Sequence, residues 1–379
     1  MSRIAYLTNA TTTSGVGHVA GAVAQALKAQ GSNHTLEHFF IDGTNHRVQY
    51  EAQTLMHVTP WPGQLNQKTV NWLRLGYKLK RSLASRHDLD IIHATNQTLS
   101  FIIDERRPSV VTVHDIIELI DPQNWAGGIA ARWLYRGITQ ASHIIAVSQY
   151  TAHELITKLA VPQAKITVVP NGVSPHFYLI ENFQQSVAYH TLQQELKISG
   201  QKIILYVGSE HPRKNVPAAL AAFAKVHAKN PHTIFLKVGE AGLRAGRQTT
   251  LETIDHLSIQ GHVRLLGTVS PERLNELYNL ADVFIYPSLH EGFGLPVLEA
   301  MAAGTPVVTS SATSLPEVVG SAALISDPRD IEMLTTYLLQ VLENEAVATQ
   351  MKHNGLEQAK QFSWARAAQA VSHVYDQLT

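Results

Sequence analysis

Two glutamates flank a glycine-hinged turn in "HEGFGLPVLEAMAAGTPVVTS", residues 290–310: Glu291 stands before it and Glu299 eight residues later. Carboxylates accept hydrogen bonds from vicinal hydroxyls, so the pair could hold two sugar rings of one ligand, one each. The same residues also suit a solvated loop carboxylate and a helix charge favoured by the dipole. Two adjacent cations, Arg213 and Lys214 in "GSEHPRKNV", could hold a diphosphate and stabilise the charge that grows as it departs; a solvated basic turn would look the same. His114 and Asp115 end the run "VVTVHDI", a strand end, where α/β folds keep their chemistry and where a structural histidine is also common. Gly15, Gly17 and Ala20 in "TSGVGHVA" satisfy G-x-G-x-x-[GA], the dinucleotide fingerprint. That fingerprint wants its first glycine directly after the strand, whereas "TNATTTS" intervenes here, and Asp42 lies 25 residues beyond Gly17 rather than about 20. The spacing argues against the dinucleotide reading.

These residues need elements to hold them. Short β-branched runs recur at helix-length intervals: "RIAYL", "LDIIHAT", "SVVTVHD", "HIIAVS" and "KITVVPNG", then "KIILYVGS", "TIFLKVGE", "VRLLG", "ADVFIYPS" and "PVVTS". Apolar runs without polar alternation suit parallel strands covered on both faces, and strand–helix alternation means a doubly wound α/β architecture. Two such open sheets facing each other would place ligands in the crevice at their strands' carboxyl ends. "EGFGLP" is a turn whose glycines let backbone approach a ligand. Pro296 fits the first helical position and Gly304 the stop, which makes "PVLEAMAA" a helix of about two turns with an anion-binding amino terminus. The polar, turn-rich segment from Asn171 to Gln201 breaks the rhythm and marks a domain boundary. The expected division is 1–175, a linker at 176–200, a second domain at 201–361, and a carboxy-terminal helix at 362–379 crossing back to the first domain.

The bulk properties narrow the classes. A chain of 379 residues suggests two domains, since single cores rarely grow past ~250 residues. Formal net charge is zero, so no overall field draws the chain to nucleic acid. There is no cysteine, which excludes disulfides, thiolate zinc sites and a cysteine nucleophile. The 20 histidines are scattered without ligand spacing, so no metal site is expected. G-x-S-x-G, G-x-x-x-x-G-K-[ST] and H-E-x-x-H are absent. With no signal-like segment and no apolar run of ~18 residues, a cytoplasmic location is expected. The basic stretch Lys68–Arg86, with Trp72, Leu73, Tyr77 and Leu83, fits a crossover helix with a solvated basic face; it would also suit peripheral contact with an anionic membrane surface.

"EGFGLPVLEAMAAGTPVV" resembles the E-x7-E signature of family-4 retaining glycosyltransferases, which have the two-domain GT-B fold of paired Rossmann-like domains. The likeness continues through "IIAVSQYTAHEL", "ITVVPNGV", "LYVGSEHPRKNV", "SLPEVVGSAALISDP" and "FSWARAA", and is greatest to the mannosyltransferase-B-like branch. The resemblance implies transfer of a hexose, mannose favoured, from a nucleotide diphosphate sugar, GDP-mannose favoured, to a hydroxyl of a carbohydrate or glycolipid acceptor. The nucleotide sugar is then a substrate, and no cofactor is implied. Glu299 would hold the nucleotide ribose and Glu291 the donor sugar. Arg213 and Lys214 would bind the diphosphate with backbone N–H groups around Gly292, Phe293, Gly294 and Leu295. Thr268 and Val269 would lie near the base, Gly15 and Gly17 beside the donor phosphates, and His114 against the donor sugar. Two departures stand out: Ser209 replaces the arginine that many relatives carry directly after the strand's glycine, and Ser14 replaces the first glycine of the amino-terminal loop. A sugar-nucleotide epimerase, an NAD-dependent enzyme and a silent sugar-nucleotide binder are the alternatives.

Overall fold

A computed structural model describes residues 2–9, 15–51, 53–60, 67–103, 106–120, 132–242 and 244–379. The chain divides into two compact units, Met1–Gly172 with Trp364–Thr379, and Val173–Ser363.

Unit 1 is built on an eight-stranded sheet in the order β4-β3-β2-β1-β5-β6-β7-β8. Its strands are β1 (Ser2–Thr8), β2 (His34–Asp42), β3 (Arg47–Tyr50), β4 (Gln53–His57), β5 (Ile91–Ala94), β6 (Ser109–Val113), β7 (His143–Ala146) and β8 (Ile166–Val168). All pairings are parallel except β2–β3 and β3–β4, which are antiparallel. The apolar rhythm anticipated β1, β5, β6, β7 and β8 but neither the parallel strand β2 nor this edge meander, whose strands carry polar residues because one side is left to solvent. The helices are α1 (Gly15–Ala29), α2 (Gln67–Ala84), α3 (Ile117–Ile120), α4 (Gly137–Gln140) and α5 (Gln149–Leu159). Basic α2 buries Leu75, Leu79 and Leu83 in the core, while Tyr77 is exposed. Lys80 Nζ donates to Ile103 O at 2.6 Å, so part of the helix's charge is spent on backbone carbonyls.

Unit 2 holds β9 (Lys202–Val207), β10 (Thr233–Val238), β11 (Val263–Gly267), β12 (Val283–Tyr286), β13 (Val307–Ser310) and β14 (Leu324–Ser326), in the order β11-β10-β9-β12-β13-β14. Every pairing is parallel. The order runs one way from β9 to β11 and the other from β12 to β14, so the topological switch point lies between β9 and β12. Its helices are α6 (Val187–Leu196), α7 (Val216–Lys229), α8 (Arg244–His256), α9 (Pro271–Leu280), α10 (Leu295–Ala302), α11 (Leu315–Val319), α12 (Ile331–Glu343) and α13 (Glu345–Ala359). The segment 176–200, expected as a linker, is packed into this unit. Phe183, Leu192 and Ile198 are buried, and the Tyr178 and Ile180 N–H groups donate to Asn275 and Asn279 of α9 at 3.0 and 2.8 Å. The last helix, α14 (Trp364–Asp376), belongs to unit 1, where it packs on α1.

Candidate active site

The loops leaving β9 and β12 flank the switch point of unit 2, and they carry the charged residues. After β9 the chain makes a tight turn, Pro212–Lys214, and enters α7 through Asn215 in the left-handed conformation (φ 54°). Asn215 Nδ2 fastens this turn to two carbonyls, Pro287 O at 3.0 Å and Pro328 O at 2.8 Å. The Leu289 N–H donates to Arg213 O at 2.7 Å, which joins the β9 and β12 loops directly. Arg213 and Lys214 are thus held from their backbones outward.

Both cations converge on Glu291. Lys214 Nζ donates to Glu291 Oε1 at 2.6 Å and to the Tyr286 hydroxyl at 2.7 Å; Arg213 Nη1 meets Glu291 Oε2 at 3.3 Å. Tyr286 OH and Ser288 Oγ complete the shell, at 2.8 and 2.6 Å from Oε1. Burial opposes the charge on Glu291, but Lys214 and then Arg213 outweigh it, and the pKa falls to about 2. The carboxylate is anionic throughout the neutral range. Tyr286, buried beside it, is pushed well above the ordinary phenol value by burial and then by Glu291, so its hydroxyl keeps its proton.

From Glu291 the loop runs to α10. Gly294 has φ 102°, and a Cβ there would lie 2.5 Å from Leu315 Cδ2, so only glycine fits. Ser314 Oγ donates to the Glu291 and Phe293 carbonyls, each at 3.0 Å, and Thr313 Oγ1 accepts from the Glu291 N–H at 2.9 Å. The turn through Gly292 is therefore clamped, and the amino terminus of α10 begins at Leu295 with Pro296 second rather than first. Pro296 has no N–H and the Val297 N–H donates to Gly294 O at 3.1 Å, so what this helix start offers an anion is the Leu295 N–H and the positive end of the dipole. Glu299 lies in the second turn of α10 and accepts from the buried Tyr278 OH at 3.0 Å. Burial raises its pKa to about 7, offset only in part by the Tyr278 bond. The two glutamates thus sit in opposite electrostatic settings: Glu291 is flanked by cations, and Glu299 meets one neutral phenol.

A second buried network fixes the neighbouring loops. Lys237, wholly buried in β10, pairs with Glu210 at 2.8 Å and donates to Gly239 O and Glu240 O at 2.8 and 3.1 Å. Arg247 of α8 closes it, with Nε 2.8 Å from Glu210 Oε2. Burial lowers the lysine pKa and Glu210 opposes that shift. Thr268 and Val269 follow β11, where Gly267 O accepts from the Gly239 N–H at 2.7 Å.

His114 and the amino-terminal glycines lie in unit 1. His114 is buried after β6, and burial lowers its pKa despite the bond to Thr95. Its Nε2 is 3.0 Å from Thr95 O, which can only accept, so Nε2 carries the proton and Nδ1 is the acceptor. Gly15 and Gly17 open α1 beyond β1; residues 10–14, including Ser14, lie outside the described residues.

The structure therefore brings Arg213, Lys214 and Glu291 into one cluster and places Glu299 apart from it, on Tyr278. Sequence reasoning missed Tyr286, Ser288, Asn215, Tyr278 and the Glu210–Lys237–Arg247 network. Tyr286 ends β12 and Ser288 lies two residues on, at the carboxyl end of the strand, where α/β folds gather their site residues; that position was the available signal. Lys237 gave the clearest overlooked signal, a cation inside an otherwise apolar strand. Among the described residues, no group of three or more His, Asp or Glu could hold a metal ion, and no helix is long and apolar enough to cross a membrane.

Two family models match the chain, "Glycosyltransferase Family 4" over residues 13–177 and "Glycosyl transferases group 1" over residues 190–358. It is 31% identical over 309 residues to the O-antigen chain mannosyltransferase B of Escherichia coli, covering 80% of this chain and 78% of that one. It is 30% identical over 285 residues to the serotype-specific mannosyltransferase WbdA of the same species, covering 73% of this chain and 34%, about a third, of that protein. Among solved structures, the sucrose-phosphate synthase of Thermosynechococcus elongatus superposes with a TM-score of 0.80 at 21% identity, covering 100% of this chain and 99% of that one.

Proposed function

The chain belongs to glycosyltransferase family 4, is a glycosyltransferase of GT-B fold, and we propose that it moves a mannosyl group from a nucleotide diphosphate sugar to a carbohydrate hydroxyl with retention of configuration. The observation that carries the donor class is the convergence of Lys214 and Arg213 at the switch point, beside the clamped amino terminus of α10. Two cations and a helix start suit a diphosphate, and Glu291 beside them suits the hydroxyls of the sugar it bears. Glu299 takes the ribose in this reading, Thr268 and Val269 the base side. His114 is assigned to the donor sugar, with neutral Nδ1 as acceptor for a hydroxyl. Mannose rests on the two mannosyltransferase relatives, and GDP-mannose is the donor to try first.

The chemistry follows from charge. As the glycosidic bond breaks, the bond's electron pair leaves with the diphosphate, and a cation beside it stabilises the transition state more than the bound donor. The acceptor hydroxyl attacks from the face the phosphate leaves, and the departing phosphate oxygen takes its proton. Glu291, anionic at neutral pH, keeps Lys214 and Arg213 in place until the diphosphate engages them.

Thermal shift against a panel of nucleotide sugars identifies the donor, since a ligand at 100 times its Kd stabilises by about 2.7 kcal/mol. Lys214→Ala should then lower turnover at saturating donor by roughly 10²–10³-fold, with a smaller loss of donor affinity. Lys214→Arg should restore only part, because the fork has a different shape. Near-normal turnover of Lys214→Ala would remove the lysine from the leaving-group site.

A further inference from the structure

A lysine is a point charge on a flexible stem, and freezing that stem when a phosphate arrives costs entropy. In Lys214 the stem is frozen in advance, by two tyrosines on neighbouring strands. Tyr206 of β9 and Tyr286 of β12 are both fully buried, and their rings lie 5.8 Å apart. Tyr206 OH donates to Lys214 O at 3.0 Å, at the root of the residue, and Tyr286 OH meets Lys214 Nζ at 2.7 Å, at its tip. The two strands border the switch point, so the lysine is gripped from both sides of it.

The bonds at the tip can run only one way. An ammonium donates and a carboxylate accepts, so the Tyr286 hydroxyl accepts from Lys214 and donates to Glu291 Oε1 at 2.8 Å. Lys214 reaches the same oxygen at 2.6 Å, which closes a triangle of Nζ, phenol and carboxylate. Ser288 Oγ donates to Oε1 as well, at 2.6 Å, while Oε2 meets Arg213 at 3.3 Å. The triangle therefore fixes the ammonium and the rotation of the Glu291 carboxylate together. The phenol has little room to yield, since its ring stacks on Phe284 at 5.8 Å and 19° and packs on Tyr206 from β9. We propose that Tyr206 and Tyr286 are positioning residues, which hold the Lys214 ammonium where the terminal phosphate of a nucleoside diphosphate meets it. They act through the lysine, and the inference rests on the assignment of Lys214 to the diphosphate. Its consequence is selective. Loosening the lysine weakens a nucleoside diphosphate, which places its second phosphate there, and spares a nucleoside monophosphate, which lacks that group.

The test is calorimetric titration of the full chain with GDP, GMP, UDP and UMP, read as the ratio of diphosphate to monophosphate affinity for the base that binds. In the wild type that ratio should be about tenfold or more, the worth of a hydrogen bond to a charged group, and Lys214→Ala should erase most of it. Tyr286→Phe keeps the ring and removes only the hydroxyl. It should cut the ratio by about threefold or more, with monophosphate affinity within about twofold of the wild type. Tyr206→Phe, which frees the Lys214 carbonyl, should lower the ratio in the same direction and carries the test if the first variant does not fold. In a Lys214→Ala background Tyr286→Phe should change the ratio no further, because no ammonium is left to hold. The inference is overturned if the tyrosine variants keep the wild-type ratio, or if mono- and diphosphate weaken together, as a merely structural role requires. It is also overturned if Tyr286→Phe cuts the ratio without the lysine. A ratio lost in Lys214→Ala but intact in both tyrosine variants rejects the tyrosines alone. Failure to bind any of the four nucleotides, or a wild type with no preference for the diphosphate, rejects the donor reading and this inference with it.

Discussion

Glu299 and Glu291 lie eight residues apart and differ in what surrounds the carboxyl, so pH separates their roles. Glu299, raised to about 7 by burial, is half protonated near neutrality in the free chain. A ribose diol donates hydrogen bonds, so it binds the carboxylate and not the acid. Nucleotide affinity should therefore rise about tenfold between pH 6 and pH 8, as one group of this pKa loses its proton, and level off above. Glu299→Gln should bind roughly 1.5–3 kcal/mol more weakly and lose that component of the pH profile. Calorimetric titration of both forms across the range isolates it, because the nucleotide's own phosphate ionisation is common to the two. Identical profiles would exclude Glu299 from the nucleotide site. The stability signs are opposite for the two residues. Glu299, raised in the folded state, contributes stability below its unfolded pKa near 4.5 that is lost as pH climbs through 7. Glu291, depressed to about 2, contributes above 4.5 and loses it only as pH falls toward 2.

At the scale of elements, the strands carrying the site were legible because a buried parallel strand must be apolar on both faces. "ADVFIYPS" and "KIILYVGS" became β12 and β9, and their following loops met at the switch point as the α/β rule requires. The meander β3–β4 was not legible, since half-solvated edge strands such as "RVQY" and "QTLMH" carry no continuous apolar run. The segment 176–200 misled for a related reason: its few buried side chains, Phe183, Leu192 and Ile198, are too sparse to register as a core pattern. Lys237 shows a third limit, because burial of its charge depends on Glu210, 27 residues earlier in the chain. Removing one member of a wholly buried pair leaves the other uncompensated, at a cost of about 3–5 kcal/mol. Lys237→Met should therefore shift the urea transition of unit 2 by that order, with Arg247 softening the effect at Glu210. The transition that moves with added nucleoside diphosphate is the one to follow, since two units need not unfold together. Adding Glu210→Leu should recover much of the loss; a double variant as unstable as Lys237→Met would show that the Gly239 and Glu240 carbonyls, not the charge pair, set the cost.

The whole molecule is two units of which the first is discontinuous in sequence: residues 1–172 are completed by 364–379. Helix α14 buries Trp364, Ala367, Ala368, Val371, Val374 and Tyr375, and Tyr375 OH lies 2.5 Å from His93 Nδ1 in the core of unit 1. The other His93 nitrogen meets Thr112 Oγ1 at 2.8 Å, and burial drives the imidazole pKa down to about 3, so this is a neutral, fully bonded histidine. Gln30 Nε2 also reaches Ala365 O at 2.8 Å, tying the end of α1 to the start of α14. Ending the chain at Ser363 would uncover the apolar face of α1 and strip His93 of one partner, while every contact within residues 173–363 is kept. Unit 1 should then lose its cooperative transition and bind ANS, and amide exchange should quicken through β1, β5 and α1. Unit 2 should keep its nucleoside diphosphate affinity within about twofold, because Lys214, Arg213, Glu291 and Glu299 all lie in it. Tyr375→Phe is the milder companion: it removes one hydroxyl and leaves His93 Nδ1 unsatisfied, a cost of about 1–3 kcal/mol to unit 1 alone. Exchange measured with and without nucleotide distinguishes the outcomes. If the truncated chain retains native protection in unit 1, α14 is only appended to it; if nucleotide binding disappears as well, the donor site draws on unit 1 for its stability, and the two units fold as one.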